Sequence, residues 1–174
     1  VNLELTNTIV NKYKCSSFKA YTAIDFRLFD LVSICVPTKL HSEILKDCLK
    51  VNVPVILCEK PITSDIPELG KLKLLYEKSK SKVLINYFRR FHHNYKDLQD
   101  LIKKENNKSL KIVVKYYKGW MNYASHALDI IQYLLNIELD FNNVTESHRF
   151  IDFLPSDPSI SLEIKGSVNI SCLA

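Results

Sequence analysis

The first half of the chain alternates short apolar runs with amphipathic stretches. The runs at 31–36 and 53–58 are almost continuous, which is typical of parallel strands buried on both faces. The segments around them repeat apolar residues every three or four positions, as helices do. We expect a helix at 2–14, an extended piece at 18–21, a strand at 31–36, a helix at 39–50, a strand at 53–58, a helix at 66–79 capped by Asp65, and a strand at 82–87. This alternation predicts a doubly wound parallel α/β sheet.

The pattern changes after residue 88. Residues 92–104 and 122–135 have helical periodicity. Strand-forming residues dominate 110–117, 144–153, 160–164 and 168–172, with Gly166 as a candidate turn between the last two. Long strands beside two helices predict an α+β domain with a mostly antiparallel sheet. We therefore expect two domains, 1–88 and 89–174.

Composition excludes several classes of protein. Apolar residues make up 47% of the 174 positions, enough for a packed core. The net charge of +5 comes from 24 basic and 19 acidic residues, and the excess lysines lie on predicted helix faces, so we expect no nucleic-acid partner. The sequence has neither an apolar run long enough to span a membrane nor a basic-then-apolar start typical of a signal peptide.

The five cysteines are an odd number and form no C-x-x-C pair. Cys35 and Cys58 fall in predicted strands, where cysteine behaves as a small hydrophobic residue. We expect a reduced, cytoplasmic protein without a metal site. His92 and His93 do not change this, because adjacent residues of a helix point about 100° apart.

Two sets of polar residues are candidates for chemistry. Glu59, Lys60 and Pro61 follow the second predicted strand directly, and open α/β sheets bind ligands at that edge. The alternative is that Lys60 reaches into solvent. Later, a helix carries a polar stripe on an otherwise apolar surface, made of Asn122, His126, Asp129 and Tyr133. An imidazole suits proton transfer near neutral pH, although a single helical histidine is often structural.

Three motifs stand in a fixed order along the chain. The pattern D-x-V-x-I-x-x-P-x-x-x-H fits residues 30–41, and E-K-P fits residues 59–61. A third pattern fits Ser125, His126 and Asp129, with Asn122 at a position where Asp is common. Together they resemble the Gfo/Idh/MocA family of nicotinamide-dependent sugar and polyol oxidoreductases. The resemblance covers about residues 8–136 and is weak beyond them.

The resemblance implies NAD or NADP as cofactor and a sugar, polyol or sugar nucleotide as substrate. It implies catalytic roles for Lys60, His126 and Asn122. An amide orients a hydroxyl but accepts no proton, so Asn122 leaves proton transfer to the other two. Expected cofactor contacts are Pro37, Thr38, His41, Glu59, Lys60, Pro61 and Arg90. We expect Thr38 to cap the helix that follows it, and Asp129 to hold either its own helix or the ring of His126. We also expect the full-length protein to be a homo-oligomer. His41 on the helix surface is the alternative to a cofactor contact.

Glycine is scarce. Only Gly70, Gly119 and Gly166 occur, against an average usage of about 7%. None forms the glycine-rich turn that lets a backbone approach a pyrophosphate. We therefore expect a piece of the family's fold that lacks its first strand and glycine turn, has an incomplete second domain, and is inactive alone. The residue that distinguishes NAD from NADP is expected before Val1. The alternatives are a non-catalytic sugar- or dinucleotide-sensing regulator or subunit on the same scaffold, and a pseudogene product.

Overall fold

The computed structural model of the chain describes residues 3–104, 111–139, 142, 144–155, 157–164 and 169–173. Contacts between residues divide the chain into two units, Val1–Ile85 and Asn86–Ala174. No helix within the described ranges is long and apolar enough to cross a lipid bilayer.

The first unit contains a parallel sheet with helices beside it. Its helices are α1 (Leu3–Tyr13), α2 (His41–Lys50) and α3 (Ile66–Lys78), and its strands are β1 (Leu31–Ile34), β2 (Val55–Cys58) and β3 (Lys82–Ile85). The strand order is β1-β2-β3, and both pairs are parallel. Ile34 pairs with Cys58 and Cys58 with Ile85, so the three strands end at the same edge. The predicted parallel sheet is confirmed.

The core of the first unit joins the sheet to α2 and α3. The buried cluster includes Ile56 of β2, Leu45 of α2 and Leu72 of α3. Each is at most 2% exposed. Helix α3 begins where predicted, because the side chain of Asp65 accepts a hydrogen bond from Glu68 N at 3.2 Å.

The prediction that strand β1 is buried on both faces is wrong. The strand has one neighbour, β2, and therefore forms an edge of the described sheet. Ile34 is buried, but Leu31 is 56% exposed. Cys35 lies just after the strand and is exposed, so its predicted place inside an apolar strand is also wrong.

The predicted extended piece at 18–21 holds as far as Ala20, whose backbone is extended (φ −145°, ψ 149°), and ends where a short helical turn begins at Tyr21. Two such turns follow one another, Tyr21–Ala23 and Phe26–Leu28. Asp25 starts the second turn by accepting a hydrogen bond from Arg27 N at 3.1 Å. Such local hydrogen bonds compete with an extended backbone and are not visible in the apolar pattern.

The second unit is an α+β layer with a four-stranded sheet. It contains α4 (His93–Lys104), α5 (Ser125–Leu135), β4 (Lys111–Lys115), β5 (Val144–Leu154), β6 (Asp157–Ile164) and β7 (Asn169–Leu173). The strand order is β4-β7-β6-β5. The β5–β6 and β6–β7 pairs are antiparallel and the β4–β7 pair is parallel, so the predicted, mostly antiparallel sheet is confirmed. The turn predicted at Gly166 lies outside the described residues.

Helix α5 packs against the sheet of its unit. Leu128 and Ile131 are buried and contact Ile112 and Val114 of β4 and Ile160 of β6. The helix ends at Asn136, whose backbone is left-handed (φ 52°) and whose N–H bonds to Gln132 O.

Candidate functional site

The residues predicted to contact the cofactor follow β1 and β2 at the shared carboxyl edge of the parallel sheet. Pro37 comes after β1, and Glu59, Lys60 and Pro61 come directly after β2. The N–H of Glu59 donates to Ile34 O at 3.0 Å, which extends the pairing past the end of β2. Glu59 and Lys60 are half-buried, and the Lys60–Pro61 peptide bond is cis. The edge therefore presents an acid and an amine on a backbone held by the sheet.

The ring of His41 contacts both segments of this edge, the one after β1 and the one after β2. Its Nδ1 lies 2.7 Å from Pro61 O, and its Nε2 lies 2.7 Å from Val36 O. A neutral imidazole donates to one of these oxygens and a protonated ring donates to both. His41 is 1% exposed, so the alternative of a surface position is wrong.

Thr38 does not cap α2 as predicted. It is the first residue of a short 3₁₀ turn, Thr38–Leu40, and α2 begins only at His41. Neither the turn nor the helix has a side-chain cap; Leu40 N instead bonds to Pro37 O at 2.9 Å. The proline starts the turn one residue earlier than the cap pattern predicts.

In the second unit, His126 lies between two aromatic rings. The Tyr87 and Phe88 rings meet it edge-on, with centroids 5.6 Å and 5.8 Å away. The imidazole is 4% exposed. Burial raises the pKa of Tyr87, and a hydrogen bond with Ser125 offsets part of that rise. The sequence interpretation missed Tyr87; its place in the sequence two residues after the end of β3 is the signal that could have found it.

Arg90 binds Asp129. Its Nε donates to Oδ2 of Asp129 at 3.0 Å and its Nη2 donates to Oδ1. This hydrogen-bonded carboxylate raises the pKa of Arg90. The Arg90 guanidinium also lies 6.0 Å from the ring centroid of Tyr133. Asp129 thus supports the segment that carries Arg90, and the ring of His126 is packed by aromatic residues instead.

Asn122 is not part of α5. It lies in a π-helical turn, Trp120–Ala124, and the α-helix begins at Ser125. The predicted α-helical stripe is therefore wrong for Asn122, the first of its residues. The backbone N–H of Asn122 donates to Oδ2 of Asp157 at 2.9 Å, a contact between distant parts of the sequence that no helical spacing predicts.

An open hollow of about 560 Å³ adjoins this cluster through Phe88. Its lining is Phe88, Arg89, Phe91, His92, Asn94 and Tyr95. The rings of His92 and His93 stack with centroids 4.4 Å apart, because His92 precedes α4 instead of lying in it, and the expected 100° divergence is wrong. No group of three or more metal-ligating side chains was found in the part of the chain that the structure describes.

Comparison with known families identifies the first half of the chain. Residues 2–87 match the model of the oxidoreductase family with an NAD-binding Rossmann fold. Through this first half, the chain belongs to the Gfo/Idh/MocA oxidoreductase family. The match contains the edge formed by residues 30–41 and 59–61, which carried two of the three motifs.

Similar proteins agree with this Gfo/Idh/MocA assignment. Inositol 2-dehydrogenase from Rhodococcus jostii is 36% identical over 74 residues, which is 42% of this chain and 20% of that protein. The chain therefore spans about a fifth of the length of this curated relative.

Solved structures show the fold over more of the chain. An oxidoreductase from Pseudomonas syringae has a TM-score of 0.75 at 14% identity and covers 95% of this chain and 51% of its own. An inositol dehydrogenase homologue from Azotobacter vinelandii, solved with NADH and myo-inositol, has a TM-score of 0.68 at 15% identity over 82% of this chain and 43% of its own. At these identities the likeness concerns the fold.

Proposed function

We propose that the protein is a nicotinamide-dependent oxidoreductase that interconverts a hydroxyl carbon of a sugar or polyol and the corresponding carbonyl. The Gfo/Idh/MocA assignment of residues 2–87 and the inositol dehydrogenases among the relatives support this proposal. In the oxidising direction, a bound nicotinamide would accept a hydride from the carbon and a base would accept the hydroxyl proton, so that a C=O bond would form. NAD or NADP supplies the hydride acceptor.

The carboxyl edge of the parallel sheet fits one end of such a cofactor. Parallel sheets bind nucleotides at this edge, and here it carries half-buried polar side chains on a fixed backbone. We assign cofactor contacts to Pro37, Thr38, His41, Glu59, Lys60, Pro61 and Arg90. His41 acts through the backbone, since both its ring nitrogens lie against carbonyl oxygens.

Lys60 and His126 are the proposed proton-transfer groups. The amine of Lys60 follows β2 at the edge where the cofactor is proposed to bind. The aromatic rings of Tyr87 and Phe88 fix the orientation of the His126 imidazole. Asn122 is proposed to orient the substrate hydroxyl, because an amide cannot accept its proton.

The proposal also includes the cellular compartment and the oligomeric state of the protein. The free thiols of Cys15, Cys35, Cys48 and Cys58 support a reducing, cytoplasmic compartment. Burial raises the pKa of Cys58 to about 12, which disfavours the nucleophilic thiolate. We therefore assign Cys58 a role in core packing. A homo-oligomer is expected for the protein expressed from its whole reading frame.

The observation that carries the proposal is Glu59-Lys60-Pro61 at the end of β2 inside the family match. The test is turnover of a panel of sugars and polyols, including myo-inositol, by the product of the whole reading frame, followed by absorbance of the reduced cofactor. Lys60→Ala is expected to lower kcat roughly 10²- to 10⁴-fold, the usual contribution of a general acid or base.

Lys78→Ala is the matched control, because it removes an exposed lysine from the last turn of α3. It is expected to keep wild-type turnover. Absence of turnover with every substrate and both cofactors would contradict the proposal, as would full activity of Lys60→Ala.

A further inference from the structure

Strand β6 holds the segment that leads into α5. Met121 N donates to Oδ1 of Asp157 at 2.7 Å, and Asn122 N donates to Oδ2 of the same carboxylate at 2.9 Å. Ser159, which is fully buried, accepts a hydrogen bond from Gly119 N at 3.1 Å. Two side chains of one strand thus satisfy three backbone N–H groups of one short segment.

The approach between these segments requires glycine at position 119. Its φ of 92° lies in the region that L-residues with a side chain rarely adopt. A Cβ at this position would lie 2.6 Å from Asp157 O and would also overlap the Asp157 carboxylate. The segment therefore sits against β6 at a separation that no other residue allows.

The segment held in this way is a π-helical turn. Ser125 N bonds back to Trp120 O, and the hydroxyl of Ser125 donates to Met121 O at 2.6 Å. A π turn contains one residue more than an α turn. Such turns are rare, and we attribute this one to the hydrogen bonds that stabilise it. If the turn rewound as an α-helix, the residues on one side of the extra position would rotate by about 100° relative to those on the other. Asn122 lies in the turn and His126 lies just after it, so their relative direction depends on the turn.

We propose that Asp157 is a positioning residue for two proposed site residues, the substrate-orienting Asn122 and the proton-transfer group His126. Its carboxylate anchors the π turn and thereby sets the directions of the Asn122 amide and the His126 imidazole. The assignment rests on the proposed function of His126. Asp157 itself acts through the backbone N–H groups of Met121 and Asn122 and does not exchange a proton with substrate.

A role in stability alone would give a different result. Removing a structural anchor lowers the free energy of unfolding and leaves the surviving folded molecules unchanged at His126. Removing a positioning residue moves the imidazole within folded molecules. The ring of His126 reports on this directly, because ring currents of Tyr87 and Phe88 shift its proton resonances.

The first experiment is NMR spectroscopy of the 174-residue chain labelled at histidine, with Asp157→Asn as the variant. The asparagine amide keeps one acceptor oxygen and places an NH₂ group against the second backbone N–H. We expect the His126 ring resonances to move and the Met121 and Asn122 amides to lose protection from hydrogen exchange. Ser159→Ala removes the acceptor of Gly119 N and is expected to move the same resonances less, which gives a milder variant if Asp157→Asn does not fold.

Glu163→Gln is the matched control, since it neutralises an exposed acid on the same strand. Its His126 resonances are expected to match those of the wild type. Unchanged His126 resonances in folded Asp157→Asn and Ser159→Ala would overturn the proposal.

The second experiment is kinetic and uses the product of the whole reading frame. Asp157→Asn is expected to lower kcat at least roughly tenfold, because misplacing a catalytic group by about 1 Å costs up to about 10² in rate. The dissociation constant for NAD is expected to change less than about twofold, since all the proposed cofactor contacts except Arg90 belong to the other unit. An equal loss in NAD affinity and kcat would overturn the positioning role. Turnover that is absent in the wild type contradicts only the proposed function, because the NMR result still decides the role of Asp157.

Discussion

At the scale of single residues, the main contacts of the candidate site are hydrogen bonds between side chains and backbone groups. His41 lies between Val36 O and Pro61 O, and Asp157 lies against the N–H groups of Met121 and Asn122. None of these contacts joins residues at helical or strand spacing. The segments that carry the proposed proton-transfer groups, Lys60 and His126, are therefore held by contacts with residues that are distant in sequence.

His41→Ala is expected to destabilise the first unit by about 2–4 kcal/mol, because it opens a cavity and removes the ring that contacts two partly buried carbonyl groups. Urea denaturation of the chain, followed by circular dichroism, measures this loss. His93→Ala is the control, since His93 is exposed, and it is expected to stay within about 0.5 kcal/mol of the wild type. A loss of that small size for His41→Ala would show that the two contacts carry no stability.

At the scale of helices and strands, the local cap signal held at Asp65 and failed at Thr38. The Asp65 cap and α3 were predictable, because a cap needs only residues three positions apart. The exposed face of β1 was not, because an apolar run does not show whether other elements cover both faces of its strand. The π turn at Trp120–Ala124 was not predictable either, since its anchor comes from β6, about 35 residues later.

The Arg90–Asp129 pair joins the segment Phe88–Phe91 to α5 and gives an element-scale prediction. Asp129 is 7% exposed and the Arg90 side chain 36%, so removal of the carboxylate leaves a partly buried cation without its partner. Asp129→Ala is expected to cost about 2–4 kcal/mol of unfolding free energy. The double variant with Arg90→Ala is expected to cost less than the sum of the single variants, by about 0.5–3 kcal/mol.

Denaturation of the wild type, both single variants and the double variant measures that coupling. Asp97→Ala serves as the control, because it removes an exposed carboxylate from α4. Strict additivity of the two changes would mean that the hydrogen-bonded pair does not couple the segment to the helix.

At the scale of the whole molecule, the family assignment rests on the first half of the chain and the candidate proton-transfer groups are divided between the two units. The sequence motifs predicted the family and the α/β and α+β architectures, because buried strand runs and motif spacing are local properties. They could not predict which polar side chains meet, because contacts such as His41 with Pro61 depend on the register of parallel strands. Tyr87 was missed because its ring contacts His126, a residue 39 positions later in the sequence.

The glycine content gives the last prediction, which concerns cofactor affinity. The pyrophosphate of a dinucleotide needs several backbone N–H groups at close range, which a glycine-rich turn provides, and the 174 residues contain only Gly70, Gly119 and Gly166. The carboxyl edge around Lys60 is left to bind the rest of the cofactor. We therefore expect the 174-residue chain to bind NAD with a dissociation constant above about 1 mM, which corresponds to less than about 4 kcal/mol of binding free energy.

Isothermal titration calorimetry of the chain with NAD and with NADP measures this affinity. Chain carrying Lys60→Ala is the control, and the small heats of both proteins are expected to coincide, because the edge alone gains too little from one amine to offset the cost of ordering a dinucleotide. Micromolar binding that Lys60→Ala weakens would contradict the prediction. It would mean that backbone N–H groups outside any glycine turn hold the pyrophosphate, and the Thr38–Leu40 turn at the start of α2 would then be the first place to look for them.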